Sequence, residues 1–136
     1  MQINIPEVLA EVTSVFQHYE RALVANDIGV LNALFWDSPL TLRYGTGEIH
    51  HGCDAIRAYR SECQPVAPTR ILQHTVITTF GRDVATVNTE FLPEPTAERL
   101  GRQSQTWVRM LEGWRIVDAH VSWQEHSSGK GNFKNL

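Results

Sequence analysis

Arg43 carries a permanent positive charge in the middle of a segment whose pattern predicts a half-buried strand. In LTLRYGTGEIHHG, residues 40–52, Leu40, Leu42 and Tyr44 alternate with polar side chains before a Gly-Thr-Gly turn. A guanidinium here either lies on a solvated face, as is common at a sheet edge, or points into a cavity. In a cavity it needs an internal carboxylate or an anionic ligand, because an unpaired buried charge is costly. Its planar fork suits bidentate binding of a carboxylate.

Tyr19 is a second candidate for chemistry, since it lies on the apolar stripe of a predicted N-terminal helix. It either packs in the core with its hydroxyl hydrogen-bonded, or presents a phenol beside Arg43 if the helix crosses the sheet there. A nearby cation favours the phenolate. In the second case we therefore expect the pKa of Tyr19 to be lowered and proton transfer to be more accessible.

The predicted last strand, GWRIVDAHVSW, places Asp118, His120 and Ser122 on one face by two-residue alternation. A catalytic triad requires side chains that aim at one another, whereas consecutive side chains on one face of a strand point roughly parallel. We therefore interpret this row as hydrogen-bonding groups that line a cavity.

The segment GRQSQTWVRM also alternates, and puts Gln103, Gln105, Trp107 and Arg109 on one face. Two glutamines leading to a tryptophan suit a polar pocket with an aromatic wall. The same face also suits a subunit contact, and the alternation alone does not choose between them.

Composition excludes several classes of partner. The chain has 136 residues, a formal net charge of −3 and no basic stripe, so we expect no nucleic-acid partner. It has no apolar run long enough for a membrane span and no visible secretory signal. Cys53 and Cys63 show neither metal-binding spacing nor a disulfide framework, which predicts a reduced, cytoplasmic protein.

No metal or cofactor site is predicted. His50 and His51 are adjacent on a strand, so they point to opposite faces and do not share an ion. The turn at residues 45–47 is too short for a phosphate-binding loop and opens no helix.

The elements that must position these residues predict an α+β fold. Asn4 is a candidate N-cap of a long amphipathic helix that ends near residues 25–26, and Asp27 caps a shorter one. A hairpin at 40–52, a helix at 54–61 and strands at 70–79, 84–91, 101–110 and 114–123 follow. We predict a cone-shaped fold whose curved antiparallel sheet wraps the N-terminal helices and encloses a pocket. We expect residues 1–123 to form a single domain and residues 124–136 a flexible tail.

Five segments together resemble the AtzH/HpxZ-like family of the nuclear transport factor 2-like (SnoaL-like) superfamily. They are VLAEVTSVFQHYERALVANDIGVLNALFW, LRYGTGE, VITTFGRD, GRQSQTWVR and GWRIVDAHVS, and the resemblance runs from about residue 3 to residue 122. It implies a cone in which a curved sheet wraps long helices around a pocket, as the pattern also predicts.

The resemblance further implies an accessory enzyme of an amidase pathway for small nitrogenous acids, as in cyanuric acid breakdown and oxalurate catabolism. The implied reaction converts 1,3-dicarboxyurea to allophanate without a cofactor. The family's essential tyrosine and arginine correspond to Tyr19 and Arg43. On this hypothesis Arg43 clamps a substrate carboxylate and Tyr19 supplies a proton or positions a water. The residues expected to complete the substrate pocket are Gln105, Trp107, His120, Glu90 and Ser122.

Two other classes of function stay open at this point, because the same fold supports many activities. One is a non-catalytic module that binds a small acid or drives assembly. The other is an isomerase or dehydratase, which would need a buried carboxylate or a His–Asp pair; Glu90 and the pair Asp118 and His120 are the candidates. We also expect a homodimer, or a tetramer, because Trp107, Trp114 and Trp123 exceed what one small core readily needs.

Overall fold

A computed structural model describes residues 1–125, in which an amphipathic helix opens the chain. Helix α1, Pro6–Ala25, repeats apolar residues every three or four positions, so one face is buried. That face comprises Val8, Val12, Phe16, Tyr19, Ala22 and Leu23. The helix ends where Asn26 adopts a left-handed conformation, with φ 54°. Most of the predicted tail, residues 126–136, lies outside the described residues, and the boundary at residue 123 stays a prediction.

The predicted N-cap at Asn4 is wrong. The cap position is Ile5, which has no side chain that could cap the helix. Asn4 instead adopts a left-handed conformation, with φ 57°, which asparagine tolerates better than most residues. Its side-chain oxygen accepts a hydrogen bond from the backbone N–H of Thr79 at 2.8 Å, and its own N–H donates to the Thr79 carbonyl at 3.0 Å. Asn4 therefore ties the N-terminus to the sheet instead of capping the helix.

The next elements follow the predicted order. Helix α2, Ile28–Leu34, is capped by Asp27, whose carboxylate accepts from the N–H of Val30 at 3.2 Å. Strands β1, Leu42–Tyr44, and β2, Ile49–His51, form the antiparallel hairpin, and helix α3 spans Cys53–Glu62. Within residues 1–125, no helix is long and apolar enough to cross a membrane.

Four long strands complete one six-stranded sheet: β3, Ile71–Phe80; β4, Val84–Leu92; β5, Leu100–Met110; and β6, Gly113–Gln124. The strand order is β2-β1-β6-β5-β4-β3. Strands β3 to β6 form an antiparallel meander, whereas β1 pairs with β6 in parallel. The sheet is thus mixed at this one junction, because the helices and the hairpin bring β1 back alongside β6 in the same direction.

The sheet curves around the helices. Register shifts interrupt the β3–β4 pairing between Gln73 and Val76 and the β5–β6 pairing between Thr106 and Trp107. Such bulges bend a strand and increase its twist. The inner face packs Val87, Trp107 and Ile116 against α1 and α2 to form the core. The α+β class and the curved sheet are therefore confirmed.

The tryptophans do not support the argument that led us to expect a dimer. Trp107 and Trp114 are buried in the hydrophobic core of the described chain, with 0% and 7% of their surface exposed. Their apolar area is already covered within one subunit. The homodimer stays a prediction.

Candidate active site

A cavity of about 160 Å³ lies between α1, α3 and the inner face of the sheet. Its most polar wall carries three guanidinium groups and two phenol rings. The main contributors are Tyr19, Arg43, Tyr59, Arg60, Arg70 and Gln103, and apolar side chains including Leu23, Val66, Phe91 and Trp123 complete the lining. A partly open space of this size with this cation content suits a small anionic molecule.

Arg43 faces this cavity, not solvent. Its side chain is 9% exposed, and its Nη1 lies 3.1 Å from Oε1 of Glu48 and 3.5 Å from Nδ1 of His50. Its guanidinium carbon also lies 4.5 Å from the ring centre of Tyr59, a cation–π contact. Gly45 at the hairpin turn permits the ion pair, because a Cβ there would overlap the Glu48 carboxylate and approach Arg43 Nη1 to 2.7 Å.

The surroundings of Arg43 set the charge states of its neighbours. Burial disfavours the Glu48 carboxylate, but the hydrogen bonds from Arg43 and from the N–H of Gly47 outweigh it and lower the pKa of Glu48. Burial, aided by the charge of Arg43, lowers the pKa of His50. His50 is therefore neutral at physiological pH, which leaves its Nδ1 free to accept from Arg43.

Tyr19 is held at the inner end of the cavity by aromatic packing. Its ring makes edge contacts with Phe35 and Trp107, at centroid distances of 6.4 and 6.3 Å. Burial raises the pKa of Tyr19, and the positive charges of Arg60, Arg43 and Arg70 offset only part of that effect. This corrects the expected lowering, because the loss of hydration outweighs the nearby cations. Tyr19 is thus a neutral phenol that can donate a hydrogen bond or a proton.

Arg70 forms the centre of a second ionic group. Its Nε donates to Glu20 Oε1 at 3.0 Å, and its Nη2 donates to Gln103 Oε1 at 2.9 Å. The amide of Gln103 in turn donates to Glu20 Oε2 at 3.2 Å. The guanidinium stacks 4.0 Å from the ring centre of Phe91. This closed network neutralises Arg70 and fixes it beside the cavity.

Arg60 differs from the other two arginines. It is 6% exposed, and its Nε has no hydrogen-bond partner among the described residues. Its Nη1 approaches only the Cys63 sulfur, at 3.9 Å, and its guanidinium carbon lies 5.7 Å from the ring centre of Tyr59. In the part of the chain that the structure describes, no carboxylate forms an ion pair with Arg60. The cavity wall therefore carries one more cation than it has paired anions.

The structure brings Tyr19 and Arg43 to one cavity and places Gln105 and Trp107 behind it. Both of the latter face inward, but they are 3% and 0% exposed. The indole N–H of Trp107 donates to Gln105 Oε1 at 3.0 Å. Trp107, held by this hydrogen bond, packs against the ring of Tyr19, and neither Trp107 nor Gln105 lines the cavity. The neighbouring Gln103, on the same face of β5, is the glutamine that lines it.

His120, Ser122 and Glu90 do not reach the cavity, which corrects the expectation that they share a pocket with Arg43. They lie on the outer face of the sheet, because alternation points them away from the helices. Ser122 accepts a hydrogen bond from Arg102, and Glu90 accepts one from Gln73. His120 lies against Tyr44 and lines a separate outer groove of about 270 Å³, together with Asp118.

Sequence reasoning missed several cavity residues, and some of them carried a usable signal. Arg60 follows Cys53 and Ile56 at helical spacing, so the sequence could have predicted that it lies on the inward face of α3. Tyr59 adjoins that face. The pairing of Arg70 with Glu20 joins positions 50 apart in sequence and has no local signal.

Comparison with solved structures first defines the class of fold. A nuclear transport factor 2-like protein of unknown function from Pseudomonas putida KT2440 superposes with a TM-score of 0.68 at 17% identity, over 83% of this chain and 84% of its own. At that identity the likeness establishes the fold alone. The chain has the nuclear transport factor 2-like, or cystatin-like, fold.

The family is defined by closer matches. The AtzH-like family model matches residues 1–127, and the chain belongs to that family. A cystatin-like fold protein from Burkholderia xenovorans LB400 is 53% identical, with a TM-score of 0.88 over 92% of this chain and 98% of its own. A protein of unknown function from Pectobacterium atrosepticum SCRI1043, of the DUF3225 family, is 49% identical, with a TM-score of 0.86 over 90% and 95%. No curated protein matches the chain.

Proposed function

We propose that this protein is a cofactor-independent enzyme that cleaves a C–N bond of a small carboxylated urea. The substrate we favour is 1,3-dicarboxyurea, or a related N-carboxylated urea or oxalurate-derived acid, and the products are allophanate and carbon dioxide. The observation that carries the proposal is the cavity of about 160 Å³, which is lined by Arg43, Arg60 and a neutral buried phenol, Tyr19. Membership of the AtzH-like family supports the same substrate class.

Binding follows from the charges on the wall. Dicarboxyurea is a dianion at neutral pH, and a guanidinium binds a carboxylate through two parallel hydrogen bonds. Arg43 is anchored on one side by Glu48 and stacked on Tyr59, so little rotamer freedom is lost when a ligand arrives. A carboxylate that binds Arg43 beside Glu48 positions the scissile bond.

The chemistry requires one proton on nitrogen. When the carbamate nitrogen is protonated, its bond to the carboxylate carbon breaks, the bonding electrons stay on nitrogen, and the carbon leaves as carbon dioxide. The dianion thereby takes up one proton and yields the allophanate monoanion. Tyr19 is the proton donor in this scheme. The charges of Arg60, Arg43 and Arg70 lower the cost of the phenolate that forms before solvent reprotonates it.

A hydrolytic route uses the same residues. In that route Tyr19 positions a water that attacks the carboxylate carbon, and the products are allophanate and bicarbonate. The two routes differ in the first carbon species released, so a rapid assay that distinguishes carbon dioxide from bicarbonate separates them.

The test is carbon dioxide release and allophanate formation from freshly generated dicarboxyurea. We expect wild type to exceed the spontaneous rate, and Arg43→Ala and Tyr19→Phe to lose about 10²–10⁴-fold. Arg57→Ala is the matched control, because Arg57 lies on α3, is exposed and pairs with Asp37 and Asp54 away from the cavity. Wild-type turnover in a folded Arg43→Ala or Tyr19→Phe variant would contradict the proposal, as would no acceleration by wild type.

The isomerase or dehydratase hypothesis has less support. Its candidate groups, Glu90, Asp118 and His120, are on the outer face of the sheet. The carboxylates beside the cavity, Glu20 and Glu48, are both engaged with arginines. A general base for carbon acids would need a carboxylate free of such pairing. The non-catalytic alternative predicts that the protein binds the acid but does not accelerate its breakdown above the spontaneous rate.

A further inference from the structure

Arg60 is the buried cation that the fold leaves without an anion. Its Nε has no hydrogen-bond partner among residues 1–125, and its weak contact with Cys63 supplies no negative charge. Arg43 and Arg70, by contrast, are held by Glu48 and Glu20. A buried guanidinium in this state is normally matched by an ion, because desolvation of an uncompensated charge is unfavourable.

Arg60 is also placed to act together with Arg43. The guanidinium carbons of the two lie 5.7 and 4.5 Å from the same Tyr59 ring centre, and both side chains line the same cavity. They come from different elements, α3 and β1, so the tertiary fold fixes their separation. A small molecule with a carboxylate at each end can therefore contact both.

We propose that Arg60 binds the second carboxylate of the substrate and makes the site selective for dianions over monoanions. The identification of that dianion as an N-carboxylated urea rests on the proposed function. Arg43 and Arg60 then hold the two ends of the substrate, with Tyr19 at the same cavity. Loss of one carboxylate converts the dianion into a monoanion that engages only one of the two guanidiniums. The reaction thus weakens the binding of its own product and promotes its release.

The test uses two stable probes of similar size. Malonate has two carboxylates, and malonamate has an amide in place of one of them. Binding to the full chain is measured by calorimetry above neutral pH at constant ionic strength. We expect wild type to bind malonate at least about tenfold more tightly than malonamate. We expect Arg60→Gln to lose that preference while its affinity for malonamate changes less than about twofold, and Arg60→Lys to restore part of it.

Arg57→Gln is the matched control, because it removes the same charge from the exposed face of the same helix. It should leave both affinities unchanged, whereas a general effect of net charge would weaken malonate binding in both variants. Circular dichroism of each variant establishes that it is folded. The proposal is overturned if wild type shows no preference for malonate, if Arg60→Gln keeps the preference, or if Arg60→Gln weakens both probes equally.

Turnover of dicarboxyurea separates this inference from the proposed function. If wild type binds malonate through Arg60 but does not accelerate the reaction, the proposed function fails and the dianion site stands. If wild type is active and Arg60→Gln keeps the same KM, the inference fails and the proposed function stands.

Discussion

Replacement of Arg60 by methionine should stabilise the protein while impairing its function. Methionine keeps the apolar stem as far as the position of Nε and carries no charge, so it removes the desolvation cost, while the space of the guanidinium is added to the cavity. Replacement of buried ionic groups by apolar residues is often stabilising by about 1–4 kcal/mol. The contact with Tyr59 and the proximity of the cavity offset part of the cost in Arg60. We therefore expect the free energy of unfolding to rise by about 1–2 kcal/mol, or Tm by roughly 4–8 °C.

Arg70→Met, the same substitution at another buried arginine, should destabilise the protein. It removes the partner of Glu20, whose carboxylate also accepts from Gln103 and is 11% exposed. A buried carboxylate without its cation is strongly unfavourable, so this variant should lose about 3–5 kcal/mol. Arg57→Met, on the exposed face of α3, should remain within about 0.5 kcal/mol of wild type.

The assay is urea unfolding followed by circular dichroism, in a buffer free of carboxylate and phosphate anions. Such anions would bind the folded wild type and hide the cost of Arg60. If Arg60→Met is destabilised as strongly as Arg70→Met, then Arg60 has a structural partner in the folded protein. That result would remove the argument for an unoccupied cation in the cavity.

Three further variants test other parts of the site and the fold. Tyr19→Phe keeps the aromatic packing, so its unfolding free energy should change by less than about 1 kcal/mol while turnover falls by about 10²–10⁴-fold; unchanged turnover would contradict the role as a proton donor. The lowered pKa of His50 means that the unfolded chain takes up its proton first, so stability should fall as pH drops below about 6.5. His50→Gln should make the unfolding free energy depend less on pH between about pH 7 and 5. The measurement is urea unfolding at several pH values, and an unchanged pH dependence would assign the effect to other titratable groups. Gly101→Ala should cost about 1–3 kcal/mol, because the added Cβ would overlap the ring of Phe91; wild-type stability would show that the ring can move.

The elements were predictable from the sequence for local reasons, whereas the strand pattern left open whether Arg43 faces solvent or a cavity. The period of α1, the cap at Asp27 and the glycines of the hairpin each depend on residues a few positions apart. The resemblance to a family then assigned Tyr19 and Arg43 to one pocket, and the structure places both at the same cavity.

The face of each strand and the charge state of each cavity residue depended on tertiary structure. Alternation puts His120 and Ser122 on one face of β6, and Gln103 and Gln105 on one face of β5. It does not say whether either face points toward the helices, because side chains on both faces of a strand repeat every two residues. The direction of the Tyr19 pKa shift likewise depended on how completely the ring is buried, and burial outweighed the cations beside it.

The sequence by itself therefore determined the fold class, most element boundaries and the presence of an arginine in the middle of β1. The tertiary structure decided which arginines share the cavity and which of them are neutralised. Arg43 finds Glu48 five positions away, whereas Arg70 finds Glu20 only through the packing of α1 against the sheet. Arg60 finds no carboxylate within the described chain. Helical spacing could have placed Arg60 on the inward face of α3, but its lack of a carboxylate partner could not be read from the sequence, because the pairing of charges depends on distance in space.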